Sequence, residues 1–426
     1  MFEKIKQVFK IPDLRKKILI IIFLLIVFRI FIAIPIPGIN EERLRELVAG
    51  NQMLGYLNIF SGGALGNLSI AMLGVAPYIT ATIILQLLTV VFPKLKEIFY
   101  EEGAIGREKF ERLGRLLTVP LAALQSFGFL RFLSAQGIFA ETALLNVLGN
   151  VIVITAGSMV ILWLGELINK QQLGSGVSLI IFAGIVSGLP MSLGGGLENF
   201  RLGILRLDMI LIFAILALAV IVGITIINAA ERKIPVSYAK RIRGNRVYGG
   251  VSTYLPLKLN QAGVIPIIFA VSVLIFPQFI GQVLSGISPV AGERILEFFT
   301  KIQNNNLIYG ILYFILVFIF TYFYTAIVFN PKEIAKNLQR SGGFLPGVRP
   351  GPPTISYLSS VISRITLFGA VFLGFVAILP IITQFLTDLP NLTIGGTALL
   401  IVVAVALEIT KKIDSELKIR EYEEFT

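Results

Sequence analysis

Ten stretches of this chain are each long and apolar enough to cross the hydrocarbon core of a bilayer, which takes roughly 20 apolar residues. They lie near 18–34, 70–92, 116–134, 149–168, 177–190, 207–228, 261–281, 306–329, 358–384 and 393–410. Nothing else restricts the fold so far. Away from water, each stretch must satisfy its backbone N–H and C=O groups inside a helix or a closed barrel. The short alternating segments of a membrane barrel do not occur. The expected class is therefore an all-α polytopic membrane protein. Composition agrees: 55% of the 426 residues are hydrophobic and 15% are charged, too little polar surface to cover a soluble domain. The first apolar run ends in "IPIPGIN", which is no signal-peptidase site, so 18–34 reads as a retained span.

Charge sets the orientation. With the N-terminus inside, 28 of the 37 Lys and Arg fall in inside segments and 6 in outside segments; Arg29, Arg131 and Arg364 lie in or beside spans. That asymmetry puts both termini in the cytoplasm. The chain has no Cys and no His, which removes disulfides, thiol nucleophiles, the usual zinc sites and histidine proton relays. There is no phosphate-binding GxxxxGK[ST] motif, and the carboxylates Glu166 and Glu408 sit near span ends rather than centres. No cofactor is expected, no catalytic constellation is visible, and the energy for any transport is expected from another molecule.

The spans repeat. "GVAPYI" (74–79) in the second resembles "GVIPII" (263–268) in the seventh, and "GVSLII" (176–181) in the fifth resembles "GTALLI" (396–401) in the tenth. Both matches share an offset of five spans. An odd number inverts the second copy, so two pseudo-symmetric five-helix halves, 1–206 and 207–426, are expected around a central seam. Pro77 and Pro266 occupy matched positions and predict kinks that line the seam. Around them aliphatic residues recur at four-residue spacing, hence on one helical face: Val75 and Ile79, Val264 and Ile268, Ile181 and Ile185, with Ile401 the repeat mate of Ile181. Any one of these suits core packing or lipid. As a set they suit a dry central collar that blocks ions yet yields to something larger. Thr80, Gln86 and Asn260 are polar residues in the same spans and need partners, either between fixed helices or along a seam that opens.

Two inside loops are long. Residues 229–260 carry seven basic residues, with "IPVSYAKR" patterned as a strand and "VYGGVSTYLPL" as its hairpin partner; 330–357 is rich in Pro and Gly and presents Arg349. Structured basic tips suit docking to an RNA-rich or an acidic protein partner, beyond the attraction of anionic lipid.

In "IPIPGIN", "FSGGALGNLSI", "PYITATIILQLLTVVFP", "GSGVSLIIFAGIVSGLP", "ERKIPVSYAKR", "STYLPLKLNQAGVIPIIFA" and "FNPKEIAKNLQRSGGFLPGVRPG" the chain resembles the SecY family, in its bacterial branch, over essentially its whole length. The resemblance implies ten spans in a clamshell around a protein-conducting pore of the bacterial cytoplasmic (inner) membrane. SecE would clamp it and SecG lie at its periphery. Unfolded precursors with signal sequences would be driven through by the SecA ATPase or the ribosome, and transmembrane segments released sideways into lipid. It places the pore ring at Val75, Ile79, Ile181, Ile185, Ile268 and Ile401, with Val75 smaller than the Ile often found there. It places Thr80, Gln86 and Asn260 in a lateral gate between spans 2 and 3 and spans 7 and 8. Docking falls to Arg232, Lys240, Arg241, Arg243, Arg246 and Arg349, with rRNA contact by the basic loops. Residues 57–68 look like the family's plug, a short half-helix holding Phe60, Ser61, Gly62, Gly63, Ala64, Leu65, Gly66 and Asn67, whose glycines permit swinging. Two other classes stay in view: a secondary transporter of a small solute, which shares inverted repeats, and a membrane enzyme, which the missing His and Cys disfavour.

Overall fold

The computed structural model describes residues 11–36, 61, 63–66, 68–100, 102–135, 137, 144–203, 207–238, 241–243, 246–248, 252–387 and 396–424. In the first half run α1 (Pro12–Ala33), α2 (Ala76–Val91), α3 (Pro93–Tyr100), α4 (Gly103–Ala135), α5 (Leu144–Asn169) and α6 (Gly176–Arg201). The second half holds α7 (Leu207–Ala229), α8 (Ile265–Ile287), α9 (Pro289–Asn304), α10 (Asn306–Val328), α11 (Pro331–Arg340), α12 (Pro352–Thr387) and α13 (Gly396–Glu424). Between α7 and α8 lie β1 (Glu231–Tyr238), β2 (Arg241–Arg243), β3 (Arg246–Tyr248) and β4 (Ser252–Lys258); β5 (Gly343–Phe344) follows α11. Each of the ten apolar stretches overlaps a helix among the described residues, and α3, α9 and α11 are additional short helices at their ends. Among the described residues, four helices are long and apolar enough to cross a membrane: Glu108–Ser134, Leu145–Asn169, Asn306–Arg340 and Pro352–Thr383.

Local chemistry explains the boundaries. Pro12 and Asp13 open α1, where a proline costs no hydrogen bond and a carboxylate meets the positive end of the helix. Asn305 caps α10 by accepting from the N–H groups of Leu307 and Ile308, both at 3.2 Å. Asn330 caps α11 in the same way, and Gly342 ends it in a left-handed turn at φ 72°.

The prolines of the repeat do not kink their helices. Pro77 and Pro266 sit in the first turns of α2 and α8, preceded by Val75 (φ −92°, ψ 0°) and Val264 (φ −92°, ψ −14°). One residue earlier stand Gly74 at φ 53° and Gly263 at φ 62°. The matched motifs thus carry matched backbones: a left-handed glycine, a bridging valine, then a helix whose second residue is proline. Proline belongs there because the first N–H groups of a helix lack intrahelical partners anyway. The other repeat pair behaves alike, since α6 begins at Gly176 and α13 at Gly396.

The principal packing between the halves 1–206 and 207–426 follows two lines. On one, α8 lies against α2 and α4; on the other, α6 lies against α13. Within the halves, α1 rests on α5 and α6, while α8, α10, α12 and α13 stack in sequence. Most of this is one continuous apolar core. A second, smaller core built on Ile234, Val236, Leu257, Leu345 and Leu358 lies under the two loops. There the expected hairpin forms: β1 pairs antiparallel with β4, Ile234 opposite Leu255 and Val236 opposite Thr253. It also pairs on its other side with β5, Ser237 opposite Phe344. The two basic loops, which read as separate elements in sequence, share one three-stranded sheet ordered β4-β1-β5. The fold is therefore mostly helical rather than all-α.

Glycine sets one helix contact. A Cβ on Gly176 would collide with the carbonyl oxygen of Gly165, while its N–H donates to Asn169 Oδ1 at 2.6 Å. Gly176→Ala should therefore separate α5 from α6 and lower stability by about 1–3 kcal/mol. Gly149→Ala in α5, where no atom lies within 4 Å of the added methyl, should leave stability unchanged or raise it. Thermal denaturation in detergent compares the two; equal melting points would remove the close approach as the cause.

Candidate pore and plug

The six expected ring residues come from four helices and their leading turns. Val75, Ile79, Ile181, Ile185 and Ile401 are buried members of the main core, and Ile268 packs against it partly buried. Ile181, Ile268 and Ile401 also line a cleft of about 690 Å³. The rest of its lining mixes apolar side chains, among them Val264, Ile265, Val328 and Val405, with polar ones, Asn228, Asn260 and Gln261 from the α7 and α8 ends and Glu408, Lys411 and Lys412 from α13. The arrangement is a mostly apolar cleft with isoleucines in its lining and polar groups among them. Such side chains offer water no hydrogen bond, so a narrow passage between them favours drying over ion entry.

The expected gate residues are not joined by hydrogen bonds to one another among the described residues. Thr80 donates to the Ala76 carbonyl at 3.0 Å and accepts from Gln125 Nε2 of α4 at 3.5 Å. Asn260 turns instead to its own half, donating through Nδ2 to Asn228 Oδ1 at 2.9 Å and to the Gly263 carbonyl at 3.3 Å. The carbonyl oxygens Oε1 of Gln86 and Oδ1 of Asn260 are buried without a partner among the described residues. Unpartnered buried oxygens destabilise the arrangement that holds them. They therefore favour any rearrangement that hydrates them. Gln125 and Asn228 escaped the sequence reading. Their signal was present, an amide within or ending an apolar run, but nothing in the chain order pairs 80 with 125 or 228 with 260.

Of the plug segment 57–68, residues 57–60 (Phe60 among them), Gly62 and Asn67 lie outside the described residues. The described ones, Ser61, Gly63 to Gly66 and Leu68, are in turns. Ser61 Oγ accepts from Leu65 N at 3.1 Å, and Ser69 N donates to the Ala64 carbonyl at 3.1 Å. Gly63 stands at φ 90° and Leu68 at φ 38°, a left-handed backbone that a leucine adopts only where neighbours enforce it. The neighbours are visible. Ile36 N donates to the Leu68 carbonyl at 2.9 Å and Ile70 N to the Ile34 carbonyl at 3.0 Å, a short antiparallel clasp to the end of α1. Ala64, Leu65 and Leu68 are buried in the same core as the ring. Just beyond, the Ile70 carbonyl lies against Gly157 of α5, where any side chain would strike it.

Of the expected docking residues, Arg232 is exposed on β1 opposite Leu257. Arg241, Arg243 and Arg246 belong to the β2–β3 hairpin by their backbones, and Lys240 lies outside the described residues. Arg349 is exposed in the turn before α12, and its carbonyl accepts from Thr354 Oγ1 at 2.8 Å, which fixes the turn. The base of the sheet reaches α13 through Lys411, whose Nζ lies 3.9 Å from Glu231 and 3.5 Å from the Asn228 carbonyl.

The SecY family model matches residues 69–410. The protein translocase subunit SecY of Mycobacterium tuberculosis H37Rv is 42% identical over 435 residues, covering 97% of each chain. The chain belongs to the SecY family. A second relative, from Halalkalibacterium halodurans and also named protein translocase subunit SecY, is 42% identical over 440 residues and the full length of both. Among solved SecY-fold structures, one concerns the SecY plug domain, described as stabilizing the closed state of the translocation channel and maintaining a membrane seal. It superposes with a TM-score of 0.64 at 21% identity over 92% of this chain and 90% of that one. Canine Sec61 in a ribosome–channel complex superposes with a TM-score of 0.62 at 20% identity, covering 93% and 91%. At these identities the superpositions speak for the fold.

The Asn228–Asn260 bond joins the root of the three-stranded sheet to the turn that starts α8. Asn228→Ala leaves the Asn260 amide short of its partner and should cost about 1–3 kcal/mol. The double variant Asn228→Ala/Asn260→Ala should cost less than the sum of the singles. Additive losses in thermal denaturation would show that the two amides do not depend on each other.

Proposed function

We propose that the chain is the channel subunit of a protein translocase, passing unfolded polypeptides across a membrane and releasing transmembrane segments sideways into lipid. One observation carries the reading. Ring residues from both halves and the plug residues Ala64, Leu65 and Leu68 belong to or pack against a single apolar core, and three of the ring isoleucines, Ile181, Ile268 and Ile401, line a cleft beside it. A core of that kind seals by van der Waals contact alone, so it opens without breaking ion pairs and closes around any side chain. The relatives' common name, protein translocase subunit, leaves the small-solute transporter without support.

In detail, the chain has ten spans in two inverted halves, with Val75, Ile79, Ile181, Ile185, Ile268 and Ile401 as the ring. The lines where α8 meets α2 and α4 form the lateral gate, and the line where α6 meets α13 forms the hinge. The matched glycine–valine–proline backbones support the inverted repeat. The membrane is the bacterial inner membrane, with both termini cytoplasmic. SecE and SecG are the membrane partners; SecA and the ribosome dock on the shared sheet, on β2–β3 and at Arg349. That the solved canine relative is ribosome-bound supports the ribosome among them.

The ring is tested by Ile401→Asn. A carboxamide in the closed ring lacks partners, at a cost of about 1–3 kcal/mol, and gains water when the ring opens. The closed-to-open balance then shifts by about five- to a hundredfold. Export of a precursor with a crippled signal sequence, normalised to channel abundance, should rise accordingly; no rescue at normal abundance would place Ile401 outside the ring. Docking is tested by Arg349→Glu. ATP-dependent import of a precursor into vesicles should fall while the channel's own abundance holds, because the residue is exposed in a turn outside every span. Unchanged import would remove Arg349 from the docking surface.

A further inference from the structure

Arg29 is the one cation in the apolar two-thirds of α1, between the buried Phe28 and Ile32. A guanidinium at that depth cannot shed its proton and must be met by acceptors or water. Across from it stands the plug turn. A Cβ built on Gly63 would find Arg29 Nη1 at 3.9 Å. At that glycine φ is 90°. The plug segment 57–68 contains no charged residue, so what it can offer the guanidinium is carbonyl, hydroxyl or amide oxygen and no carboxylate. The clasp between 34–36 and 68–70 already brings α1 and the plug alongside each other.

We propose that Arg29 is the latch of the closed channel: its guanidinium donates hydrogen bonds to backbone oxygens of the turn around Gly63 and so positions the plug under the ring. The inference rests on the reading of 57–68 as a plug. The pairing of a charge with peptide dipoles suits a part that must move. A salt bridge here would leave two bare charges when the plug departs. A guanidinium that loses a neutral partner faces the opened, water-filled pore and is rehydrated at once. The plug carries no counter-charge away with it. Lysine would serve less well, because a compact ammonium cannot spread its donors over several oxygens of one turn.

The test uses the full chain in its purified translocase complex, fused into planar bilayers, and reads resting ion conductance per channel. Arg29→Met should raise it about tenfold, equivalent to 1.4 kcal/mol of lost closed-state preference. Arg29→Lys should raise it less. Gly63→Leu, which leaves α1 intact and pushes the guanidinium aside from the plug, should also leak. In a channel lacking residues 60–67, which should itself leak, Arg29→Met should add nothing. Sealed channels with Gly63→Leu or Arg29→Met, beside a leaking deletion, would overturn the latch and leave the plug standing. A further rise from Arg29→Met in the deletion background would show Arg29 acting elsewhere. A deletion that stays sealed would remove the plug, and the latch with it. Should Arg29→Met not accumulate, Arg29→Gln, which also removes the charge and leaves the plug sequence intact, decides in its place.

Discussion

The architecture depends on two helices that begin inside the protein. A helix start leaves N–H groups without intrahelical partners, and a buried start must deal with each of them. Here α2 and α8 meet that demand with the same sequence device, a left-handed glycine that turns the chain, a valine that bridges, and a proline that has no N–H to satisfy. Because both helices start at depth, Val75 and Ile79 fall within the core, and Val264 and Ile268 pack against it partly buried. Val264, Ile265 and Ile268 line the cleft because α8 starts where it does.

The polar groups around this centre are sparse and incompletely satisfied. Asn260 spends its amide on Asn228 and Gly263 while its oxygen goes without, and the Gln86 oxygen does the same on the facing helix. In a dry interior that is a standing cost to this arrangement. Against it stands the packing of α8 on α2 and α4. The seam between the halves thus sets packing against unmet amides, and single side chains on either side can tip it.

Much of this could be read from the chain. The apolar stretches located the helices because a bilayer permits little else. The alternation in "IPVSYAKR" located β1, and the five-span offset located residues whose backbones prove to match. What escaped has a common physical character. The pairing of Thr80 with Gln125, of Asn228 with Asn260 and of Ser237 with Phe344 depends on tertiary register, which no local periodicity encodes. The prolines at 77 and 266 were misread as kinks because proline inside an apolar run and proline at a buried helix start look alike in sequence. Leu68 at φ 38° could not be read at all, since leucine has no preference for that region and is held there by the clasp to α1.

That clasp has a kinetic consequence. The hydrogen bonds from Ile36 to Leu68 and from Ile70 to Ile34 tie the C-terminal end of segment 57–68 to the first helix, and the Ile70 carbonyl is lodged against Gly157 besides. On the proposed reading of that segment as a plug, it can swing only as far as the few residues beyond this anchor allow, and its return is a unimolecular search over a small volume. A short tether of that kind keeps the effective concentration at the seat in the millimolar range or above. Resealing on that reading is first-order, independent of how many channels the membrane holds, and its rate is set by the length of chain between the anchor and the turn at Gly63.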